Sequence, residues 1–562
     1  MGLSGYLRRL MKKFTSHILL CFFSLALFGQ SALFNQDITY SRKDTLRGSI
    51  TPERAWWDLK HYDLKVTVDI ENKAISGSNT ISYEVLGDQE RMQIDLQAPM
   101  KILRVSQKGK ELEVEKEGNA HFITLKKKQK IGAVHTLLVE FEGIPRAAIN
   151  PPWDGGFSWN TDSKGMPFIA NSNQGLGASV WWPCKDHGYD EPEEGLLLSI
   201  TVQQDLIGVG NGRLVETRQE NNQKTYIWKV VNPINNYGVN VNIGNYVNFS
   251  ETYDGENGAL TLDYWVLKQN LEKAREQFKQ VPMTIEAFEH WFGPYPFYDD
   301  TYKLVEVPYL GMEHQSSVTY GNNFRNGYNG RGRKLFDFSG TGIGRKWDYI
   351  IIHETGHEWF ANNITAKDVA DLWVHEGFTC YSESLYIEYH FGKEEAAEYT
   401  RGTRKVIANQ APIIGDYEVN KEGSGDMYFK GNNILHTLRQ VIDDDEKWRS
   451  ILRGLNREFY HSTVTTQQVE RYIAEQAGIN LVPFFDQYLR TAAIPTFEYQ
   501  KTSDGIRFRW AGAIEDFEMP LDVEIDGKEQ RLEVNTDWAE VKGAVLEVDP
   551  DYYVTIDNLS QD

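Results

Sequence analysis

"IIHETGHEWFANNITAKDVADLWVHEGFTCY", residues 351–381, sets two histidines four apart around a glutamate and places a second glutamate further on. At helical pitch His353 and His357 project from one face. Two imidazoles at that spacing can hold one Zn2+ at about 2.0–2.1 Å each. Glu354 stands beside the first ligand and points past the metal, where a carboxylate can take a proton from water. A catalytic zinc commonly uses three protein ligands and keeps a fourth position open. Glu376 follows His357 after 18 intervening residues. That is room for one helix to end, a loop through "NNITAKDVAD", and a second helix to carry a carboxylate back. The expected ligands are therefore His353, His357 and Glu376, and the expected base is Glu354. The competing reading is two buried helices that happen to carry polar residues. It needs His-Glu-x-x-His by chance, on the order of a few per cent in a chain like this.

The rest of the chain is an ordinary globular composition, 41% hydrophobic and 25% charged over 562 residues. Its formal net charge of -21 argues against nucleic acid or an anionic membrane surface as the main partner. At the N-terminus, Arg8, Arg9, Lys12 and Lys13 precede the apolar run "HILLCFFSLALF" (17–28) and the small residues "GQSA" (29–32). This reads as a secretory signal peptide whose apolar core is too short to span a bilayer comfortably. Its removal would take away four positive charges and no acids, leaving -25. An exported chain, periplasmic or extracellular and bacterial in character, follows, with no stable membrane insertion after cleavage. Of three cysteines, Cys184 and Cys380 lie beyond the signal. One disulfide between them is open, but the chain is no disulfide scaffold.

Between about 33 and 250 the pattern is β. "YDLKVTVDI" (62–70) alternates Leu64, Val66, Val68 and Ile70 with polar neighbours, and "GSNTISYEVL" and "HTLLVEFEGI" behave alike. Near 268 the period turns helical, stopped by Gly293-Pro294. Further helices are expected over 347–362, 373–391, 430–442 and 466–477. After about 496 the pattern returns to β, with a tight hairpin at Asp526-Gly527. The expected divisions are 1–32 (signal), 33–252 (β), 253–495 (helix-rich, with the metal site) and 496–562 (small β module).

"HETGHEWF" with "LWVHEGF" resembles the zinc signature of the aminopeptidase N family of zinc metallopeptidases. Four other stretches add to the resemblance: "NQGLGASVWWPCKDHGYDEP" (173–192), "FGPYPF" (292–297), "GMEH" (311–314) and "YFKG" (428–431). Together they span about 80% of the chain beyond the signal, judged by where such motifs fall. The resemblance implies an α+β multidomain fold. Its parts are an N-terminal all-β saddle domain, a thermolysin-like zinc-peptidase domain and a small C-terminal β-sandwich-like module. It also implies roles. Glu313 binds the free α-amine of a peptide, with Gly311 and Met312 on the substrate strand. Gln174 helps hold that amine, and Tyr428 hydrogen-bonds the oxyanion. The implied function is removal of N-terminal residues from peptides, with one Zn2+ as cofactor and peptides with a free N-terminus as partners.

Three positions depart from the family pattern. Leu310 replaces a glycine, His314 an asparagine, and His375 precedes the zinc glutamate where asparagine is frequent. The first two put the preferred residue and peptide length in doubt. The two histidines raise the expectation of a shifted pH optimum. Relatives often continue into a large helical C-terminal domain, and a chain ending at 562 leads to the expectation of a more open cleft. Rival readings are a zinc endopeptidase, an epoxide hydrolase and an inactive binding scaffold. An endopeptidase gives Glu313 no work. An epoxide hydrolase needs a long apolar pocket with a carboxylate-binding cation, and the sequence identifies neither. A dead scaffold predicts loss of the base, a ligand or the tyrosine, and all are present.

Overall fold

The computed structural model describes residues 39–330 and 335–560, so the expected signal segment lies outside the described residues. The described residues divide into two units, with the boundary after Thr45. The described part of the first unit, residues 39–45, begins helix α1 (Arg42–Gly48). The second unit carries every expected site residue.

In the N-terminal region an eight-stranded sheet is built on β1 (Trp57–Asp69) and β2 (Ala74–Val85). It also holds β3 (Lys101–Gln107), β4 (Lys110–Glu111), β5 (Val134–Gly143), β6 (Leu196–Gln203), β7 (Arg213–Glu220) and β8 (Gln223–Val230). The strand order is β7-β8-β6-β1-β2-β5-β3-β4. Tyr62, Leu64, Val66 and Val68 of β1 are buried, while Lys65 and Asp69 are exposed. This is the two-residue period of a half-buried strand. Ile70 falls just beyond the strand and is half-buried. The parallel pairing of β1 with β6 sets Leu64 against Leu198 and Val66 against Ile200. Each fully buried aliphatic side chain of this kind contributes roughly 1.5–3 kcal/mol. Trp181 and Trp182 are fully buried in the same core, and Trp182 meets Tyr62 edge to face at 4.9 Å.

A second sheet begins with β9 (Tyr246–Gly255) and β10 (Gly258–Leu267). Residue 252, the expected division, thus falls inside a strand. That sheet continues through β11 (Tyr302–Glu306), β12 (Gly311–Met312) and β13 (Val318–Tyr320), in the order β9-β10-β11-β13-β12. The two-residue β12 is therefore an edge strand, paired antiparallel to β13. Helix α2 (Gln280–Phe292) buries Val281, Ile285, Phe288 and Phe292 along one stripe and ends at Gly293, φ +95°.

Three further helices build the centre. These are α3 (Tyr349–Gly356), α4 (Trp373–Phe391) and α5 (Phe429–Ile442). Asp348 caps α3, its Oδ1 accepting from the Ile350 N–H at 3.1 Å. The helix expected over 347–362 stops at Gly356. The chain then turns through Ala361, φ +147°, into a short strand, Ile364–Ala366. His357 keeps helical dihedrals as the C-cap (φ -64°, ψ -18°), so the four-residue spacing of the histidines survives the early end.

After 496 come β14 (Thr496–Lys501), β15 (Ile506–Ala511), β16 (Met519–Ile525) and β17 (Lys528–Val534). Asp526 (φ +51°) and Gly527 (φ +78°) join β16 to β17 in the expected two-residue turn. Phe497, Trp510, Leu521 and Val523 share one core with Leu438 of α5. Arg531 of β17 donates to the carbonyls of Val441 (2.6 Å) and Gln440 (3.2 Å), satisfying the C-terminus of α5. The fold is α+β: β-rich, then sheet with helices, then small sheets.

Candidate active site

The C-terminal turn of α3 and the N-terminal turn of α4 bring His353, His357 and Glu376 together. Nε2 of His353 lies 3.7 Å and Nε2 of His357 lies 3.4 Å from Glu376 Oε2. A tetrahedral site with zinc bonds of 2.0–2.1 Å puts ligand atoms about 3.4 Å apart. The other ring nitrogens are already used. His353 Nδ1 donates to Glu383 Oε1 at 2.8 Å, and His357 Nδ1 donates to the Phe360 carbonyl at 3.0 Å. Both Nε2 lone pairs are thereby turned toward the metal position. Glu376 Oε2 is buried and has no hydrogen-bond partner, as a carboxylate oxygen reserved for a cation should be. Burial alone would raise the Glu376 carboxyl, but His357 and His353 outweigh it and hold it well below the usual carboxylate range. The donor set fits Zn2+.

Glu383 is a site residue that the sequence reading missed. It accepts from Tyr399 OH at 2.6 Å as well as from His353. It stands seven residues after Glu376 on α4. That two-turn spacing on one helix face was the available signal. Glu383→Gln is expected to weaken zinc affinity about 10–100-fold, because the histidine loses the anion that fixes its ring and raises its basicity. Competition against a chelator of known affinity measures this, and an unchanged affinity contradicts it.

Glu354 faces the cleft from α3. Burial pushes its carboxyl up to about 7, against the opposing pull of His353 and His357. Oxygens of Glu313 and Glu354 and a ring nitrogen of His357 all lie within 4.8 Å of one another. β12 can approach α3 this closely because residue 311 is glycine. A Cβ there would come within 2.6 Å of Ile350 Cγ2 and 3.1 Å of Glu354 Oε1. Met312 is buried in a small cluster with Ala170, Val307 and Tyr309. Glu313 follows, 4% exposed, with Oε1 unpartnered and its backbone carbonyl held by Asn362 Nδ2 at 2.9 Å.

Tyr428 precedes α5 and stacks on His353 at 6.1 Å between ring centroids. Burial, with Glu376 and Glu313 nearby, raises its phenol well above its ordinary value, so it stays a hydrogen-bond donor. Its place depends on the crossing of α4 and α5. A Cβ on Gly431 would lie 2.6 Å from Gly377 Cα, so only two glycines let these helices touch there. Gln174 arrives from the N-terminal region. The loop that carries it is tied down by Asp186, which accepts from Ala178 N (3.2 Å) and Ser179 N (3.0 Å). Gln174 Nε2 donates to Glu376 Oε1 at 3.1 Å, fixing one carboxylate oxygen and leaving Oε2 to the metal. The structure therefore brings all the expected site residues to one cleft, of about 540 Å3, lined by Gln174, Gly311, Met312, Glu313, Glu354, Glu376, Tyr428 and both histidines.

"FGPYPF" braces this centre from behind. Tyr295 OH donates to Glu358 Oε2 at 2.5 Å, and Trp359 Nε1 donates to the Gly293 carbonyl at 3.0 Å. The expectation for His314 and His375 is corrected. Burial pushes each imidazole down to about 3, so both are neutral around pH 7 and do not titrate there. His375 instead accepts the Ala366 N–H at 2.7 Å. Cys184 and Cys380 are both buried and free.

The chain is similar to known proteins. Residues 277–488 match the description "Peptidase family M1 domain" and residues 59–237 match "Peptidase M1 N-terminal domain". A leucyl aminopeptidase of Saccharolobus solfataricus is 21% identical over 496 residues, covering 84% of this chain and 59% of its own. Leukotriene A-4 hydrolase of Xenopus laevis is 22% identical over 452 residues, 75% of this chain and 68% of its own. The chain thus spans 59% and 68% of the length of these two relatives. The solved M1 zinc metallopeptidase of Deinococcus radiodurans has a like fold, with TM-score 0.63 and 20% identity. The match covers 79% of this chain and 95% of that one.

Proposed function

The chain belongs to the peptidase M1 family, and from that premise we propose that it is an exported zinc aminopeptidase. Its substrates would be peptides with a free N-terminus. The observation that carries this reading is Glu313: a buried carboxylate with an unpartnered oxygen, in the same cleft as the metal triad and within 4.8 Å of Glu354. An anion buried without a partner is costly, and a cation from the substrate relieves that cost. The ammonium of a peptide N-terminus is such a cation. Held there, it leaves room for only one residue before the reacting bond.

His353, His357 and Glu376 would hold the zinc, which when bound polarises the scissile carbonyl and acidifies water. Glu354 takes the proton of the attacking water and passes it to the leaving amine. The Tyr428 phenol donates to the oxyanion as charge develops on the carbonyl oxygen. Glu313 pairs with the ammonium, and the amide oxygen of Gln174 is a further acceptor for it. The basic and apolar segment of residues 1–32 supports export. Among the described residues no helix is long and apolar enough to cross a membrane.

The test pairs aminoacyl-nitroanilides with their N-acetylated forms, before and after chelation and zinc add-back. Hydrolysis of the free-amine set alone, lost with the metal and restored by zinc, is the expected result. Equal hydrolysis of the acetylated set would remove the amine anchor and leave an endopeptidase.

A further inference from the structure

A second cleft of about 540 Å3 adjoins the first and shares Trp153 and Leu310 with it. Lys273, Glu306, Tyr309 and Arg325 are among its other walls. Its position relative to β12 decides what can reach it. β12 is an edge strand, with Glu313 just after it and Leu310 and Tyr309 just before it. A peptide whose amine sits at Glu313, lying along that open edge, runs antiparallel to β12. It passes Gly311 and heads toward Leu310 and Tyr309. Only Gly311–Met312 are strand and residues 308–310 bend, so at about 3.3 Å per residue the four residues from Glu313 back to Tyr309 span at most roughly 13 Å. Three or four peptide residues therefore carry a substrate from the amine anchor into the second cleft.

That cleft offers two cations. Lys273 and Arg325 are exposed, and neither is paired with a carboxylate among the described residues. The nearest hydrogen-bond acceptor of Lys273 Nζ is Asn270 Oδ1 at 3.5 Å. Glu306, an acid in the same cleft, cancels them only in part: its oxygens already accept from Leu267 N (2.8 Å) and Asn270 Nδ2 (2.6 Å), and burial raises its carboxyl while the charge of Lys273 pulls it down. The loop presenting Arg325 is built rather than loose. Asn322 Nδ2 donates to the carbonyls of Arg325 (2.9 Å) and Gly327 (2.8 Å) and to Asp348 Oδ1 (2.7 Å). In a chain of net charge -21, two unpaired cations flanking one cleft mark a place for an anion.

We propose that the second cleft seats the C-terminal end of a tri- or tetrapeptide, with Lys273 and Arg325 gripping its α-carboxylate. The inference rests on the aminopeptidase reading above and adds a preference for short peptides with a free carboxyl end. Leu310, where the family pattern has glycine, is then a shared wall over which the substrate passes.

The experiment compares a tetrapeptide with its C-terminal amide, on the zinc-loaded enzyme and on a Lys273→Gln, Arg325→Gln double variant. An aminoacyl-nitroanilide, too short to reach the second cleft, normalises for folded, metal-loaded protein. The wild type is expected to favour the free acid about tenfold in kcat/KM, mostly through KM, as charge-assisted hydrogen bonds at an exposed site allow. The double variant should bring that ratio close to one, and Lys273→Glu should push it toward the amide. Nitroanilide hydrolysis with an acid-to-amide ratio near one in the wild type would overturn this inference alone. So would a ratio that survives in the double variant. Absence of hydrolysis of every substrate by the zinc-loaded enzyme would overturn both readings together.

Discussion

Glu354→Gln is expected to lower kcat by about 10²–10⁴, the usual contribution of a positioned general base, while zinc content stays at one per chain. Glutamine keeps the volume of the side chain and can still hydrogen-bond, but it cannot accept a proton. Glu354 is not one of the proposed ligands His353, His357 and Glu376, so metal binding should survive the substitution. Metal analysis beside steady-state kinetics separates the outcomes. Loss of zinc together with activity would make Glu354 a structural residue, and retained activity would move the proton transfer to another group. On the proposed reading KM should change little, since the substrate's amine would be held by Glu313.

Tyr428→Phe is expected to lower kcat by about 10²–10³ with KM nearly constant, because on the proposed reading its hydrogen bond strengthens as charge builds on the carbonyl oxygen. Phenylalanine preserves the stacking on His353, so folding and metal binding should survive. If Tyr428 were an ordinary buried aromatic, the loss of its hydroxyl would leave kcat intact and shift only stability. The cost of this substitution should also appear on its own at the chemical step. A single-turnover measurement that showed product release alone slowed would contradict the assignment.

Much of the fold was legible because its signals are local. The alternation of Leu64, Val66 and Val68 needs only a strand's two-residue period, and Ile70, read as its fourth member, falls just beyond the strand's end. The helix expected over 373–391 has those bounds in the structure, and Asp526-Gly527 makes its hairpin, because caps and turns are written in neighbouring residues. The candidate zinc set was legible for the same reason. His353 lies in α3 and His357 is its C-cap with helical dihedrals, and the spacing to Glu376 is that of a helix, a loop and a second helix. Where the reading slipped, the deciding contact was distant. The end of α3 at Gly356 is imposed where the chain turns through Ala361 to pair Ile364–Ala366 with Ser462–Val464, far along the sequence. Residue 252 reads like the end of a β region, but its strand joins a sheet completed by Tyr302–Glu306 and Val318–Tyr320.

The sequence by itself determined the order of β, helix-rich and β segments, and it singled out the candidate metal ligands and base that the structure brings to one cleft, since each rests on a periodicity or a short spacing. Only the tertiary structure decided how these residues become one site. It let Gly377 and Gly431 meet so that Tyr428 faces the metal position, and it carried Gln174 across from another sheet to Glu376. It buried His314 and His375 deeply enough to take their charge away. It also joined a second cleft, with Lys273 and Arg325 on its walls, to the first. The reason is physical: helical pitch and strand alternation act between near neighbours, whereas burial, close approach and the meeting of loops depend on residues that the chain brings together only when it folds.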